Sequence, residues 1–141
     1  MNRLVAIDPG RMKCGLVLVD LEEGRVLKGK VVRAPLVLDV LRTWQKEKPL
    51  EEMVLGNGTS SSEWEDKLRD LAPLKLVEEQ GTTLRARERY WELWPPDDWF
   101  RWVPRGLVLP PYDLDAVAAL VLLEDYLEMK FIWPGSPSFR I

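Results

Sequence analysis

Short apolar segments bounded by turn residues predict three consecutive strands at the start of the chain. They cover residues 3–7, 14–19 and 25–32, and the first ends in the turn sequence Asp8-Pro9-Gly10. A short apolar run between turn signals is typical of a buried strand. Tight connections between consecutive strands favour an antiparallel meander.

The pattern changes after Pro35 to helices that alternate with strands. Apolar residues recur at helical spacing over residues 36–48, strands are predicted at 52–55 and 74–77, and Pro73 ends a helix that Ser60–Ser62 can cap. Another helix is expected from Thr82 through Arg89, and a strongly apolar helix over 113 to about 131. The order is βββαβαβα with a further helix at the end, which predicts an α/β fold with a mixed sheet covered by helices. A single domain over residues 1–141 is expected, with a Trp- and Pro-rich excursion at about 94–111.

Composition narrows the chemistry that such a domain can perform. The 141 residues are 46% hydrophobic and 30% charged and contain no histidine. Triads that need histidine and zinc sites of the His-x-x-x-His type are therefore excluded. A lone Cys14 excludes an internal disulfide framework. The net charge of −3 provides no global positive field for nucleic acid.

The sequence shows no targeting or membrane segment. Only four apolar residues precede Asp8 after the first charged residue, and the longest apolar run, residues 116–123, is far below the ~20 residues that span a bilayer. We expect a soluble, cytoplasmic protein without membrane contact.

Acidic residues follow strands at positions where α/β sheets often carry chemistry. Asp8 ends the first strand, Glu78 and Glu79 end the fifth, and Asp113 and Asp115 begin the last helix. Each acid alone has a structural alternative, such as a turn or, for Asp113, a helix N-cap.

Asp115 shares its helix face with Ala118, Ala119 and Leu122, so its charge needs compensation. Converging carboxylates without histidine suit Mg²⁺ or Mn²⁺, and paired ions can support phosphodiester cleavage.

Three segments resemble a known family of nucleases. The stretch from Asp8-Pro-Gly through Gly15 to Asp20, the segment Val77-Glu-Glu-Gln-Gly-Thr82-Thr83, and the helix from Asp115 to Leu127 are similar to the YqgF/RuvX family. Its members are Holliday-junction resolvase-like, pre-16S rRNA processing nucleases with an RNase H-like fold. The resemblance covers nearly the whole chain and agrees with the predicted element order.

The resemblance implies an endonuclease in which Asp8, Glu79 and Asp115 are catalytic and bind two Mg²⁺ or Mn²⁺ ions. Its register selects Glu79 over Glu78, because the family places its Glu three residues before Thr-Thr. The sequence also departs from the family: Gln80 replaces an Arg, Gly81 replaces an apolar residue, and the 56–59 loop lacks Leu-Pro. These departures concern substrate handling.

Basic and aromatic residues lie near the candidate acids in the sequence. Arg11 and Lys13 follow Asp8, and Arg85 and Arg89 follow Glu79, which predicts a local rim that binds the phosphates of RNA or branched DNA. The alternative is that Arg85 pairs with Glu88 or Glu92 and that Lys13 is merely solvated.

The aromatic residues also allow two interpretations. The side chains of Trp91, Trp94, Trp99, Phe100 and Trp102 could stack on unpaired bases. They could instead pack a loop onto the core or form a homodimer contact.

Two other functions compete with the nuclease hypothesis. One is an RNase H-fold module that binds nucleic acid or protein with little or no cleavage, which Gln80 and Gly81 motivate. The other is a fragment of an actin-like kinase, which the short chain disfavours.

Overall fold

A computed structural model describes residues 2–58, 60–79, 81–95 and 113–135 of the chain. Most of the predicted Trp- and Pro-rich excursion, together with Gln80, lies outside these residues. The single-domain boundary therefore stays a prediction.

One mixed sheet organises the described residues. Its five strands stand in the order β3-β2-β1-β4-β5. The strands β1, β2 and β3 pair antiparallel, whereas β1 with β4 and β4 with β5 are parallel. The meander is therefore confirmed, and β1 is the central strand of the whole sheet. The strands are β1 (Arg3–Asp8), β2 (Lys13–Asp20), β3 (Arg25–Arg33), β4 (Leu50–Asn57) and β5 (Leu74–Glu78).

Four α-helices within the described residues connect or cover the strands, and the predicted element order is confirmed. They are α1 (Val37–Glu47), α2 (Ser61–Leu68), α3 (Thr82–Leu93) and α4 (Asp115–Leu127). A 3₁₀ turn over Ala34–Leu36 precedes α1, so the helix begins one residue later than its apolar pattern predicts. Ser60 is the N-cap of α2, but its side chain makes no capping hydrogen bond.

Alternating side chains on the central strands build two apolar layers. Val5 and Ile7 of β1 face the layer that α1 and α2 cover with Trp44 and Trp64. The other face of β1 packs under α4, where Leu120 is fully buried. The sheet is therefore enclosed by helices on both sides, which confirms the predicted α/β class.

The last helix is buried nearly all round because α3 packs on the side that the sheet leaves open. Every residue from Ala116 to Glu124 is buried. The helix was predicted to span 113 to about 131, but it begins at Asp115 and ends at Leu127. Glu128 adopts a left-handed conformation (φ 54°) that stops the helix, and the Phe131 N–H instead donates to the Glu124 carboxylate at 2.8 Å. No helix among the described residues is long and apolar enough to cross a membrane.

Candidate active site

Asp8 lies at the carboxyl end of the central strand. Its register partner on β2 is Gly15, and the parallel neighbours β4 and β5 end on the same edge of the sheet at Asn57 and Glu78. In sheets with parallel strands this edge is the usual place for a site. The side chain is half-buried, so its carboxyl group has lost much of its hydration.

Glu79 follows β5 and reaches Asp8 across the end of β4. Its side chain hydrogen-bonds to the Asp8 carboxyl, whereas Glu78 is exposed. The path is open because Gly56 and Gly58 have no side chains. A Cβ on Gly56 would come within 2.8 Å of the Glu79 Cδ, and one on Gly58 would overlap its Oε2. Two glycines therefore make the recess in which the Glu79 carboxylate lies.

Asp115 is brought to the same edge by the first turn of α4. A Cβ on Gly15 would overlap the Asp115 carbonyl and lie 2.6 Å from the Ala116 nitrogen, so the glycine lets α4 rest directly on β2. Because Asp8 is the register partner of Gly15, this contact places Asp115 near Asp8. A carboxylate is also favoured in the first turn of a helix.

Burial, together with the neighbouring carboxylates, makes ionisation of Asp8 costly. Burial raises the pKa of the Asp8 carboxyl from its ordinary value of 3.8 to about 8, and the hydrogen bond to Glu79 and the charges of Glu79 and Asp115 add to the effect. A carboxyl that shares a hydrogen bond with another carboxylate keeps its proton until an opposing charge arrives. Near neutral pH, Asp8 is therefore largely protonated in the folded protein.

Lys13 supplies a positive charge beside Asp115. Its Nζ lies 2.9 Å from Asp113 and 3.6 Å from Asp115. Burial raises the pKa of Asp115, and the Lys13 ammonium opposes that rise. The N-cap interpretation of Asp113 is wrong, because Leu114 occupies the N-cap and Asp113 forms an ion pair with Lys13.

The donor chemistry of this edge fits a hard divalent cation. Within the described ranges, no three acidic or cysteine side chains are already grouped closely enough to hold a metal ion. Asp8 nevertheless interacts electrostatically with both Glu79 and Asp115, and a cation, the Lys13 ammonium, already sits on Asp115. Oxygen ligands of this kind suit Mg²⁺ or Mn²⁺.

The structure divides the four predicted phosphate-binding residues into two pairs. Arg11 is exposed in the loop after Asp8, and the Lys13 ammonium group forms an ion pair with Asp115. Arg85 instead pairs with Asp125, and Arg89 pairs with Glu124 at 2.9 Å while donating to the Phe131 carbonyl at 2.8 Å. Glu124 and Asp125 lie near the C-terminal end of α4. Asp125 is ten residues after Asp115, which is about 15 Å along the helix. The phosphate contacts of Arg85 and Arg89 stay a prediction.

The aromatic residues of α3 take part in packing. Trp91 is buried and meets Tyr90 edge-on, with ring centroids 4.9 Å apart. Trp94 packs on Trp133, and its Nε1 donates to the Gly135 carbonyl at 2.8 Å. For these two tryptophans the structure favours the packing alternative. Trp99, Phe100 and Trp102 lie outside the described residues.

Sequence reasoning missed the glycines that shape the site. Gly15, Gly56 and Gly58 were recognised only as parts of motifs, although glycine at a strand end is a known signal for close approach of another group. Gly81 also has a local role: it precedes α3 with a φ of 67°, a left-handed conformation that a side chain would strain. The left-handed backbone at this position explains why Gly81 stands where the family has an apolar residue.

Comparison with known proteins shows the fold. No family model matches the chain, and no curated protein matches it. A structure of T. thermophilus RuvC in complex with a Holliday junction substrate is similar over 91% of this chain and 96% of that chain, with 14% identity and a TM-score of 0.54. A second structure of RuvC from Thermus thermophilus covers 92% of this chain and 98% of its own, with 14% identity and a TM-score of 0.56. The RNase H-like fold implied by the sequence resemblance is confirmed.

Proposed function

We propose that this protein is a metal-dependent endonuclease that hydrolyses phosphodiester bonds in structured nucleic acid, either branched DNA such as a Holliday junction or an rRNA precursor. The observation that carries the proposal is the acidic cluster at the carboxyl end of the central strand. There Asp8 is held largely protonated by burial and by its interactions with Glu79 and Asp115. Such an arrangement is costly for a purely structural role, and perturbed carboxyls of this kind concentrate at functional sites.

The residues of the site would have separate roles. Asp8, Glu79 and Asp115 would hold two divalent ions, and Asp8 would lose its proton when they bind. The chemistry supplied at these residues would be activation of a water for in-line attack and stabilisation of the leaving oxygen, with a 5′ phosphate and a 3′ hydroxyl as the product ends. Exposed Arg11 would contact a flanking phosphate and help to fix the backbone of the substrate.

The likeness to RuvC supports nucleic acid as the substrate, since one of the similar structures is a complex with a Holliday junction. The net charge of −3 argues that binding is local and salt-sensitive. Neutralisation of the acidic cluster by cations would remove part of the repulsion between this edge and a phosphate backbone.

Cleavage assays test the proposal directly. Labelled four-way junction DNA and rRNA precursor fragments are incubated with Mn²⁺ or Mg²⁺ and with the wild type, Asp8→Asn or the control Asp39→Asn, which changes an exposed acid of α1. We expect cleavage by the wild type and the control, and a loss of at least about a hundredfold in Asp8→Asn, because bound metal contributes several kcal/mol to such reactions. Equal cleavage by all three proteins would refute the assignment.

A binding module without cleavage is the second candidate function. It is favoured by the ion pair between Lys13 and Asp115, which satisfies one acid of the cluster without metal. Calorimetry and thermal unfolding with millimolar Mn²⁺ separate the two functions. Heat of binding together with a higher melting temperature supports the nuclease, and the absence of both supports the binding module.

A further inference from the structure

We propose that Lys13 is a built-in cation that competes with a divalent ion for Asp115 and, once displaced, contacts the phosphate backbone of the bound substrate. The inference rests on the proposed function and adds a positioning role for this lysine. Its basis is the place of the ammonium group, which bridges Asp113 at 2.9 Å and Asp115 at 3.6 Å.

The backbone holds Lys13 at this point. It is the first residue of β2, directly after the loop that follows Asp8. The Ala34 N–H donates to the Met12 carbonyl at 2.8 Å, and the Cys14 thiol contacts the Gly10 carbonyl at 3.7 Å. A Cβ on Gly10 would overlap the Lys13 carbonyl, so the loop is tightly folded. The backbone of Lys13 is therefore held in place, while its long side chain can still move.

The Asp115 carboxylate cannot bind the Lys13 ammonium and a divalent ion equally well at the same time. An ammonium group within 4 Å of a carboxylate repels a divalent ion that approaches the same oxygens, and this repulsion is only partly screened at a half-buried site. The Lys13 side chain is 47% exposed, so it can turn away without breaking the core. Metal binding is thus expected to expel the ammonium group from Asp115.

The displaced ammonium group remains beside the reacting edge. Lys13 is the first residue of β2 and lies two residues after exposed Arg11, so the freed ammonium group would be available to a phosphate backbone bound at the acids. Lysine contacts phosphate as a flexible point charge, which suits a group that changes partners. Lys13 would therefore couple metal binding to substrate binding: it weakens the first and strengthens the second.

The primary test measures Mn²⁺ affinity by calorimetry for wild type, Lys13→Gln, Lys13→Arg and the control Lys28→Gln. Lys28 is a matched control because its ammonium lies 3.3 Å from Glu47 with a similar side-chain exposure of 41%. We expect Lys13→Gln to bind Mn²⁺ on the order of tenfold more tightly, and Lys13→Arg and Lys28→Gln to match the wild type.

The second readout is the salt dependence of binding to four-way junction DNA, measured by fluorescence anisotropy in EDTA and in Ca²⁺. In Ca²⁺, Lys13→Gln should reduce the slope of log affinity against log salt by about one, as for the loss of one phosphate contact. In EDTA its slope should equal that of the wild type, since the lysine is then paired with the acids.

The outcomes separate this inference from the proposed function. If the wild type binds Mn²⁺ but Lys13→Gln binds it equally or more weakly, the inference is overturned and the proposed function stands. If only Lys13→Gln binds Mn²⁺, competition by Lys13 is supported and the wild type is not metal-dependent at this ion concentration. If neither protein binds Mn²⁺, both proposals fail. A slope change of equal size in EDTA and in Ca²⁺ would overturn the displacement step.

Discussion

Replacement of Asp8 by asparagine is expected to stabilise the metal-free protein at neutral pH. Asparagine has the size of aspartate and can donate to Glu79 as the protonated acid does, but it cannot ionise. In the wild type the folded-state pKa of Asp8 is raised from 3.8 to about 8. The folded state therefore binds more protons than the unfolded state between these values, and the free energy of unfolding falls as the pH rises.

The size of the effect follows from the pKa. Between the two pKa values each pH unit lowers the free energy of unfolding by about 1.4 kcal/mol. The loss of unfolding free energy at pH 7 is therefore at most about 4 kcal/mol. Asp8 is only half-buried, and hydration reduces the effect of its charge. We therefore expect a gain of about 2 kcal/mol for Asp8→Asn at pH 7, or roughly 6 °C in melting temperature.

Urea unfolding at several pH values measures this gain. The difference between Asp8→Asn and wild type should be close to zero below about pH 4, increase with pH, and level off above about pH 8. The control Asp39→Asn should show no such trend, because Asp39 is exposed on α1. A variant that is no more stable than wild type at pH 7, or a gain that does not change with pH, would refute the account of the acidic cluster.

Four further substitutions probe the site and the contacts that support it. Glu79→Gln should lower the pKa of Asp8, since it removes an adjacent negative charge; an unchanged carboxyl titration in ¹³C NMR would contradict this. Arg89→Ala should cost about 3–5 kcal/mol of unfolding free energy because it leaves a buried acid unpaired. Arg85→Ala should cost less than about 1 kcal/mol because its ion pair is exposed, so equal costs in chemical denaturation would be contrary to expectation. Gly15→Ala should destabilise the protein by about 3 kcal/mol, the upper end of the usual cost of overpacking, since a methyl group would overlap the backbone of α4, and an unchanged melting temperature would exclude that contact.

The element order was readable from the sequence because each strand and helix carries its own local signal. The meander and the two parallel strands follow from apolar runs and turn residues, and these are short-range features. The limits of α4 were less readable. Its apolar stretch continues past Leu127, but the left-handed Glu128 and the hydrogen bond from Phe131 to Glu124 stop the helix.

The site was readable in part. Strand ends pointed to Asp8 and to the pair Glu78 and Glu79, but strand alternation could not choose between the last two. The choice of Glu79 came from the family resemblance, and in the structure Glu79 is the residue that hydrogen-bonds to Asp8.

Long-range pairings were not predictable from local patterns. Arg85 and Arg89 lie one turn apart on α3, and nearby Glu88 and Glu92 were the alternative partners predicted for Arg85. Their acids instead come from α4, 40 and 35 residues further along the chain. Such contacts arise only when two helices pack, which no periodicity in either helix encodes.

We expect Asp8, Glu79 and Asp115 to bind divalent metal together. Anomalous scattering from crystals soaked in Mn²⁺ would locate such ions. Anomalous peaks are expected at roughly 2.1 Å from carboxylate oxygens of all three residues, with the Lys13 ammonium moved away from Asp115. Saturating Mn²⁺ that leaves these carboxylates without a peak, with Lys13 still paired to Asp115, would contradict this expectation.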